Sequence, residues 1–432
     1  LGFVSVGLLL WLLVVWDFTK FGHKSAIASM AIVSGVGGFL WWIHRLRMRE
    51  LFSKLRRVWI VSEFIFLAVF FLLLALRSMN PDLWESYLGG EKPMELGYLT
   101  AIGRSPELPP YDPWFAGGSM NYYYFGWFLI AVPMRALKVL PEVAFQLGVA
   151  TFGALAAVVI FSLTYNLIFA SNSSRSEGKR SRRNQIQVGV LGVFLFLGSG
   201  TIDAVRIHFD RLRSANTWTF MNNWPVVGSL LDFVGGTWAW ITGTHLSRFD
   251  WWEPSRVNEG NFDITEFPYF TFLFGDLHPH MMDMALFGLS LSLALTYLLS
   301  CREQPTRNLT VLAACMGAFV GIVRMTNTWD FPTITVMMFI ILLFGAGIST
   351  SRSDRRFIER KAALLGVAGL AVCLSTLGSN GNYLVFGMGV VGLLSILSIF
   401  CSRTIDSRIL HFTCHVSVGV ITHVVLIWPY LH

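Results

Sequence analysis

Residues 80–126 read NPDLWESYLGGEKPMELGYLTAIGRSPELPPYDPWFAGGSMNYYYFG. The stretch lies between two strongly apolar blocks. It nevertheless carries Asp82, Glu85, Glu91, Glu95, Glu107 and Asp112 against only Lys92 and Arg104. Proline and glycine interrupt it repeatedly, and Trp84, Trp114, Phe115 and the run Tyr122, Tyr123, Tyr124 line it. A long connection of this kind is either functional or disordered. Its aromatic content argues for order, because disordered segments are poor in aromatic residues. It reads as an acidic, ordered loop lying on a membrane surface.

The membrane follows from the rest of the chain. Of 432 residues, 54% are hydrophobic and 14% charged, where a soluble domain would carry about 25% charged. Apolar runs recur at 2–18, 26–43, 58–76, 143–169, 187–204, 283–300, 309–326, 332–349, 362–378, 383–401 and 409–430. Runs of that length span a bilayer as helices, since only helices and closed barrels satisfy the backbone there. The expected fold class is therefore all-α: a polytopic membrane helical bundle of about 11 transmembrane helices, with two long structured outer loops, 77–142 and 205–282. Three parts are expected: N-terminal helices over 1–57, a membrane core over 58–350, and C-terminal helices over 351–432. Both ends read as clipped. The segment 122–140 has an uninterrupted apolar run of only thirteen residues, Tyr122–Met134, and reads as an interfacial helix.

Charge fixes the expected sidedness. If 122–140 does not span, the short loops 44–57, 170–186, 301–308, 350–361 and 402–408 share one face and hold 20 of the 33 Lys and Arg residues. That is the positive-inside pattern. It places both long loops outside the cytoplasm, in the cell membrane. The net charge of +7 is thereby absorbed by topology, so no nucleic-acid partner is implied. The five cysteines, Cys301, Cys315, Cys373, Cys401 and Cys414, lie in or beside apolar runs and imply no disulfide framework.

The second outer loop carries the densest polar cluster: Glu266, Asp276, His278, His280 and Asp283. Asp-Leu-His-Pro-His gathers a carboxylate and two imidazoles within five positions, a set that can hold a divalent cation (Mg or Mn), grip a phosphate, or serve as acid and base. Asp276 and His280 are the candidate metal ligands. The plain structural alternative is that these groups cap the following helix. Arg324 falls inside a span, with Asp330 six residues on. An arginine at that depth either pairs with that aspartate or meets a lipid phosphate. Asp82, Glu91, Glu95 and Asp112 are the candidate bases, with Asp82 first because it sits just outside span 58–76. Candidate substrate contacts are Lys92, Arg104, Trp114, Asn121, Tyr122, Tyr123, Tyr124, Glu266, His278, Arg324 and Asp330. Aromatic faces with carboxylates suit sugars, and buried cations suit phosphate. Asp112, in PPYDPW, is equally suited to fixing a turn.

The strings EKPMELGYLTAIGRSPELPPYDPWFAGGSMNYYYFG, ITEFPYFTFLFGDLHPH and NTWDFP resemble the bacterial and archaeal membrane family DUF2298, marked by a triple-tyrosine motif that here is Tyr122–Tyr124. That family is similar in turn to GT-C glycosyltransferases. The resemblance implies a polyprenyl-phosphate sugar donor, membrane lipid as surroundings, and an outer-loop acid as base. One departure is that two spans precede the acidic loop here, where the GT-C loop usually follows the first. Two other classes stay open at this point: a non-catalytic subunit of a membrane complex, and a lipid or solute transporter. A transporter predicts mid-membrane charges in repeated halves, and no internal repeat is visible.

Overall fold

The computed structural model describes residues 1–85, 89–172, 178–199, 203–218, 225–247, 253–255, 266–301 and 306–348, with positions 415, 418, 422 and 423. All regular elements among them are helices: α1 (Gly2–Val15), α2 (His23–Ile43), α3 (Arg45–Met79), α4 (Lys92–Arg104), α5 (Phe125–Leu137), α6 (Pro141–Asn172), α7 (Gly178–Gly198), α8 (Asp203–Ser214), α9 (Pro225–Ile241), α10 (Pro268–Phe274), α11 (Pro279–Ser300), α12 (Thr306–Thr326) and α13 (Phe331–Ile348). Five of these, α2, α3, α6, α11 and α12, are long and apolar enough to cross a membrane, and α1, α5 and α13 are shorter apolar helices. The protein is an all-α membrane protein. The expected spans 362–378 and 383–401, and nearly all of 409–430, lie outside the described residues.

The helices divide into two units, Leu1–Gly192 with Gly275–His432, and Val193–Phe274. In the first, α3 packs along α6, and α6 along α11, which in turn meets α12 and α13. The packing face of α3 is legible in its spacing: Ile65, Val69, Leu73 and Arg77 are buried, a row at four-residue intervals. Phe64 and Phe71, off that row, are 70% and 60% exposed, as side chains facing lipid are. The expected basic loop 44–57 is not a loop. Only His44 separates α2 from α3, and Arg, Lys, Leu, Met and Glu favour the helix onward, with Lys54 Nζ 2.6 Å from Glu50 Oε1.

Helix α5 corrects the interfacial reading of 122–140. Ten of its residues are buried, among them Phe125, Trp127, Phe128 and Leu129, and it is enclosed by α1, α2, α4, α6, α11 and α12. An interfacial helix needs a polar face. From Phe125 to Met134 there is none, and a helix apolar all round is buried. It ends where Lys138 takes a left-handed conformation at φ 55°.

The second unit covers most of the expected second outer loop. Within it α8 packs on α9, with Phe209 and Phe233 stacked 4.5 Å apart. Glu266 belongs to this unit, and its Oε2 accepts a hydrogen bond from Thr271 Oγ1 at 3.0 Å.

Candidate functional site

Two segments 182 residues apart meet in the first unit, the start of α4 and the start of α11. Gly90, at φ 65°, turns the chain into α4, with Glu91 at the N-cap and Pro93 in the first turn. Glu91 and Glu95 are four residues apart, so both carboxylates lie on one face of the helix. On the other side Gly275, at φ 69°, is backed by Arg77, whose Cδ would stand 2.8 Å from any added Cβ. Glycine is what this approach and this conformation require. The residues that follow are pinned by their backbone. Leu277 N–H donates to Glu95 Oε2 at 2.8 Å, and Leu277 carbonyl accepts from Trp127 Nε1 at 3.0 Å. His278 then serves as the N-cap of α11, with Pro279 at its first position.

These constraints bring six ionisable side chains together. Lys92 Nζ lies 3.1 Å from Asp276 Oδ1 and donates to Gly89 carbonyl at 3.0 Å. His278 Nε2 lies 2.9 Å from Glu91 Oε2. His278 Nδ1 and His280 Nδ1 are 2.6 Å apart, so one proton lies between the two rings. The His278 hydrogen bond holds the Glu91 carboxyl below its ordinary range. Burial, with Asp276 and Glu91 adding repulsion, pushes Glu95 well above its own. Burial also raises Asp276, against the pull of Lys92. Environment thus separates neighbouring carboxyls into an ionised one and reluctant ones, the pattern expected of a reactive site.

An aromatic wall borders the carboxylates. Tyr122 and Tyr123 stack at 4.0 Å, with Tyr122 Oη donating to Tyr123 Oη at 2.9 Å. Tyr98 and Trp127 pack behind Tyr122 at 5.6 and 5.8 Å. Burial raises the Tyr98 and Tyr122 hydroxyls, and the charge of Glu91 acts on both in the same direction. The third tyrosine of the triplet points elsewhere. Tyr124 is 2% exposed and its hydroxyl accepts from Trp11 Nε1 at 3.3 Å, so it belongs to the core.

Of the residues singled out in the sequence, Glu91, Lys92, Glu95, Tyr122, Tyr123, Asp276, His278 and His280 gather here. The others are placed differently. Asp82 Oδ1 accepts from Trp84 N–H at 2.9 Å, and its carbonyl faces Arg77 Nη2 at 3.5 Å. It closes a turn. Asp112 Oδ1 likewise accepts from the amides of Trp114 and Phe115, at 2.8 and 3.2 Å. Trp114 is 60% exposed and lies against Gly97, and Asn121 is exposed. Arg104 ends α4, about 20 Å along the helix from Glu91. Arg324 and Asp330 lie at the turn between α12 and α13: the guanidinium lies 4.8 Å over the Phe331 ring, and Asp330 Oδ2 accepts from Asn327 Nδ2 at 2.6 Å while its carboxyl also meets that of Asp283 in α11. Of the expected metal ligands, Asp276 faces Lys92 and His280 faces His278. Among the described residues, the carboxylate and imidazole atoms that converge belong to Glu91, Glu95 and His278, within 4.8 Å of one another. Sequence reasoning missed Arg77, whose Nε donates to Gln146 Oε1 at 2.7 Å. The available signal was an arginine in the last turn of a span.

The profile of DUF2298, described as an uncharacterized membrane protein, matches residues 5–428. No curated protein and no solved structure matches the chain. The chain belongs to the DUF2298 membrane-protein family.

Proposed function

Starting from that membership, we propose that this integral membrane protein is a glycosyltransferase of GT-C type. It would move a sugar from a polyprenyl-phosphate donor to an acceptor hydroxyl at the extracytoplasmic face of the cell membrane. The observation that carries the reading is the Glu91–His278–His280 relay, at 2.9 and 2.6 Å, set beside the stacked rings of Tyr122 and Tyr123.

In this reading the base is Glu91 rather than Asp82, whose carboxylate closes a turn. Glu91 is held ionised by His278, and its side chain is 53% exposed, within reach of an incoming hydroxyl. The acceptor oxygen attacks the anomeric carbon and its proton passes to the Glu91 carboxylate. The bond from that carbon to the phosphate oxygen breaks, and the phosphate leaves with the electron pair. His278 orients Glu91 through Nε2 and takes up the change in charge, while His280 fixes the ring of His278. The faces of Tyr122 and Tyr123 suit stacking against a pyranose. The 20 Lys and Arg of 44–57, 170–186, 301–308, 350–361 and 402–408 support that sidedness by the positive-inside rule, six of them on helix α3 rather than in a loop.

The test is sugar transfer from polyprenyl-phosphate sugars in membranes carrying the native chain or a variant. General-base loss is worth about 10² to 10⁴ in rate, so Glu91→Gln and His278→Ala should each fall by that factor, and Asp112→Ala should stay within a few-fold. Undiminished transfer in both of the first two variants overturns the reading.

A further inference from the structure

Glu95 has no part in the proton transfer above, yet it is completely buried. One of its oxygens is used, by the Leu277 amide. The other, Oε1, is buried and accepts no hydrogen bond. A carboxylate oxygen kept from water without a donor is costly. Such an atom in a native fold points to a partner that binds there. The same carboxylate converges with Glu91 and His278.

Charge agrees with a cation as the partner. Lys92 and Asp276 face each other at 3.1 Å. Glu91 and Glu95 present their carboxyls on one face of α4 with two imidazoles alongside, so an ion that displaces the Glu95 proton meets two carboxylates. Geometry agrees: ligand atoms about 2.1 Å from an ion stand roughly 3–4.2 Å apart, and these three lie within 4.8 Å, a fraction of an ångström from closing. A partner for the histidine's other nitrogen is also in place. A metal-bound histidine donates its other ring N–H to an acceptor, which fixes its tautomer. With His278 Nε2 turned to the ion, its Nδ1–H donates to His280 Nδ1, already 2.6 Å away.

We propose that Glu91, Glu95 and His278 form a divalent-cation site, with two carboxylate oxygens and one imidazole nitrogen as ligands. Two carboxylates suit Mn²⁺, and the imidazole nitrogen favours it over the oxygen-preferring Mg²⁺, with remaining positions open to a phosphate oxygen. The inference rests on the proposed function only for the ion's use, which would be to neutralise the departing phosphate. Binding itself is independent of that use.

The experiment titrates the purified full chain, in detergent and after removal of metals, with Mn²⁺ followed by electron paramagnetic resonance. One bound ion per chain is expected, displaced by excess Mg²⁺, with nitrogen modulation from a single imidazole. Glu95→Gln, which keeps the shape and the Leu277 contact, should weaken binding more than tenfold. His278→Asn should abolish the nitrogen signal. His280→Ala should retain the signal while affinity falls about 10–100-fold, as when a ligating histidine loses the acceptor that orients it. Asp112→Ala should bind as the native chain does. If Glu95→Gln does not fold, the nitrogen signal of the native chain and its loss in His278→Asn decide alone. Absence of stoichiometric Mn²⁺, or unchanged binding in Glu95→Gln, overturns the site. Because the readout involves no sugar, binding without transfer removes the glycosyltransferase reading and leaves the site, and transfer without binding does the reverse.

Discussion

Glu95 and Asp112 belong to one acidic stretch, seventeen positions apart, yet the fold uses them in opposite ways. Asp112 spends its carboxylate locally, on the amides of Trp114 and Phe115, in a loop whose residues are mostly exposed. Glu95 is carried inward by α4 to a segment 182 residues distant, where one oxygen pins Leu277 and the other stays open. A short acidic side chain flanked by turn residues closes its own turn. The same group on the inner face of a helix must find a tertiary partner. Composition marks both residues as candidates, and only the partner decides which one is available for chemistry.

Breaking the buried half of this comparison should have the largest effect. Lys92→Met removes the ammonium that faces Asp276, both side chains being largely enclosed, at 7% and 14% exposure. Stranding a buried charge costs about 3–5 kcal/mol, so the variant should show a much lower thermal midpoint in detergent. The double variant Lys92→Met/Asp276→Asn should regain most of it. If the single variant unfolds like the native chain, the ion pair is not what organises this junction.

The next effect depends on pH and has a definite sign. The folded-state value of Glu95 is raised well above 4.5, by burial first and then by Asp276 and Glu91. The native state therefore holds this proton longer than the unfolded chain does. The stability tied to it is complete below 4.5 and is lost as pH rises from there toward the folded-state value. Glu95→Gln cannot ionise, so in chelator-treated buffer it should gain on the native chain steadily as pH rises above 4.5. Saturating Mn²⁺ should reverse the order, since an ion that binds only the folded native chain stabilises it by mass action. Parallel pH profiles for the two proteins would mean that Glu95 is not a buried titrating group.

The local half of the comparison predicts a smaller loss. Asp112→Ala leaves two amides without their acceptor, a change comparable to losing a helix cap, about 1 kcal/mol. Chemical unfolding should register it while Mn²⁺ affinity stays unchanged. A collapse of Mn²⁺ binding in this variant would erase the distinction between the two carboxylates.

How much of this was legible follows from the same distinction. Helical class could be read because apolar run length is set by the bilayer, and the two polar segments expected to meet do so at Glu95 and Leu277. Glu91, Lys92, Asp276 and His278 could be singled out because each flanks a proline or glycine that starts or stops an element. Nearness to a span points to Asp82 first, but nearness along the chain does not reveal that Trp84 N–H donates to its carboxylate. Arg104 shares α4 with Glu95 but ends it, and helical rise alone removes it from the site. The burial of α5 was legible in the absence of any polar face from Phe125 to Met134. Its short length points to the interface, yet that length excludes spanning without excluding enclosure by other helices.

The smallest expected effect lies at Lys20, which bridges Asp17 and Glu107 at 2.8 and 2.9 Å. In geometry this ion pair is as short as any in the buried cluster, so distance alone would rank it alongside Lys92 and Asp276. Exposure separates them: the Lys20 side chain is 54% exposed and that of Glu107 70%, where water screens the attraction and ordering long side chains offsets it. Hydrogen bonds to Asp17 and then Glu107 raise the Lys20 ammonium to about 12. A cation with a raised folded-state value contributes fully below its unfolded value of 10.5 and loses the contribution only toward about 12. Across neutral pH the pair therefore gives no pH dependence. Glu107→Gln should leave the thermal midpoint at pH 7 within error, at low and high salt alike. A salt-dependent drop matching that of Lys92→Met would show that solvent exposure is not what separates the surface of this protein from its α4–α11 junction.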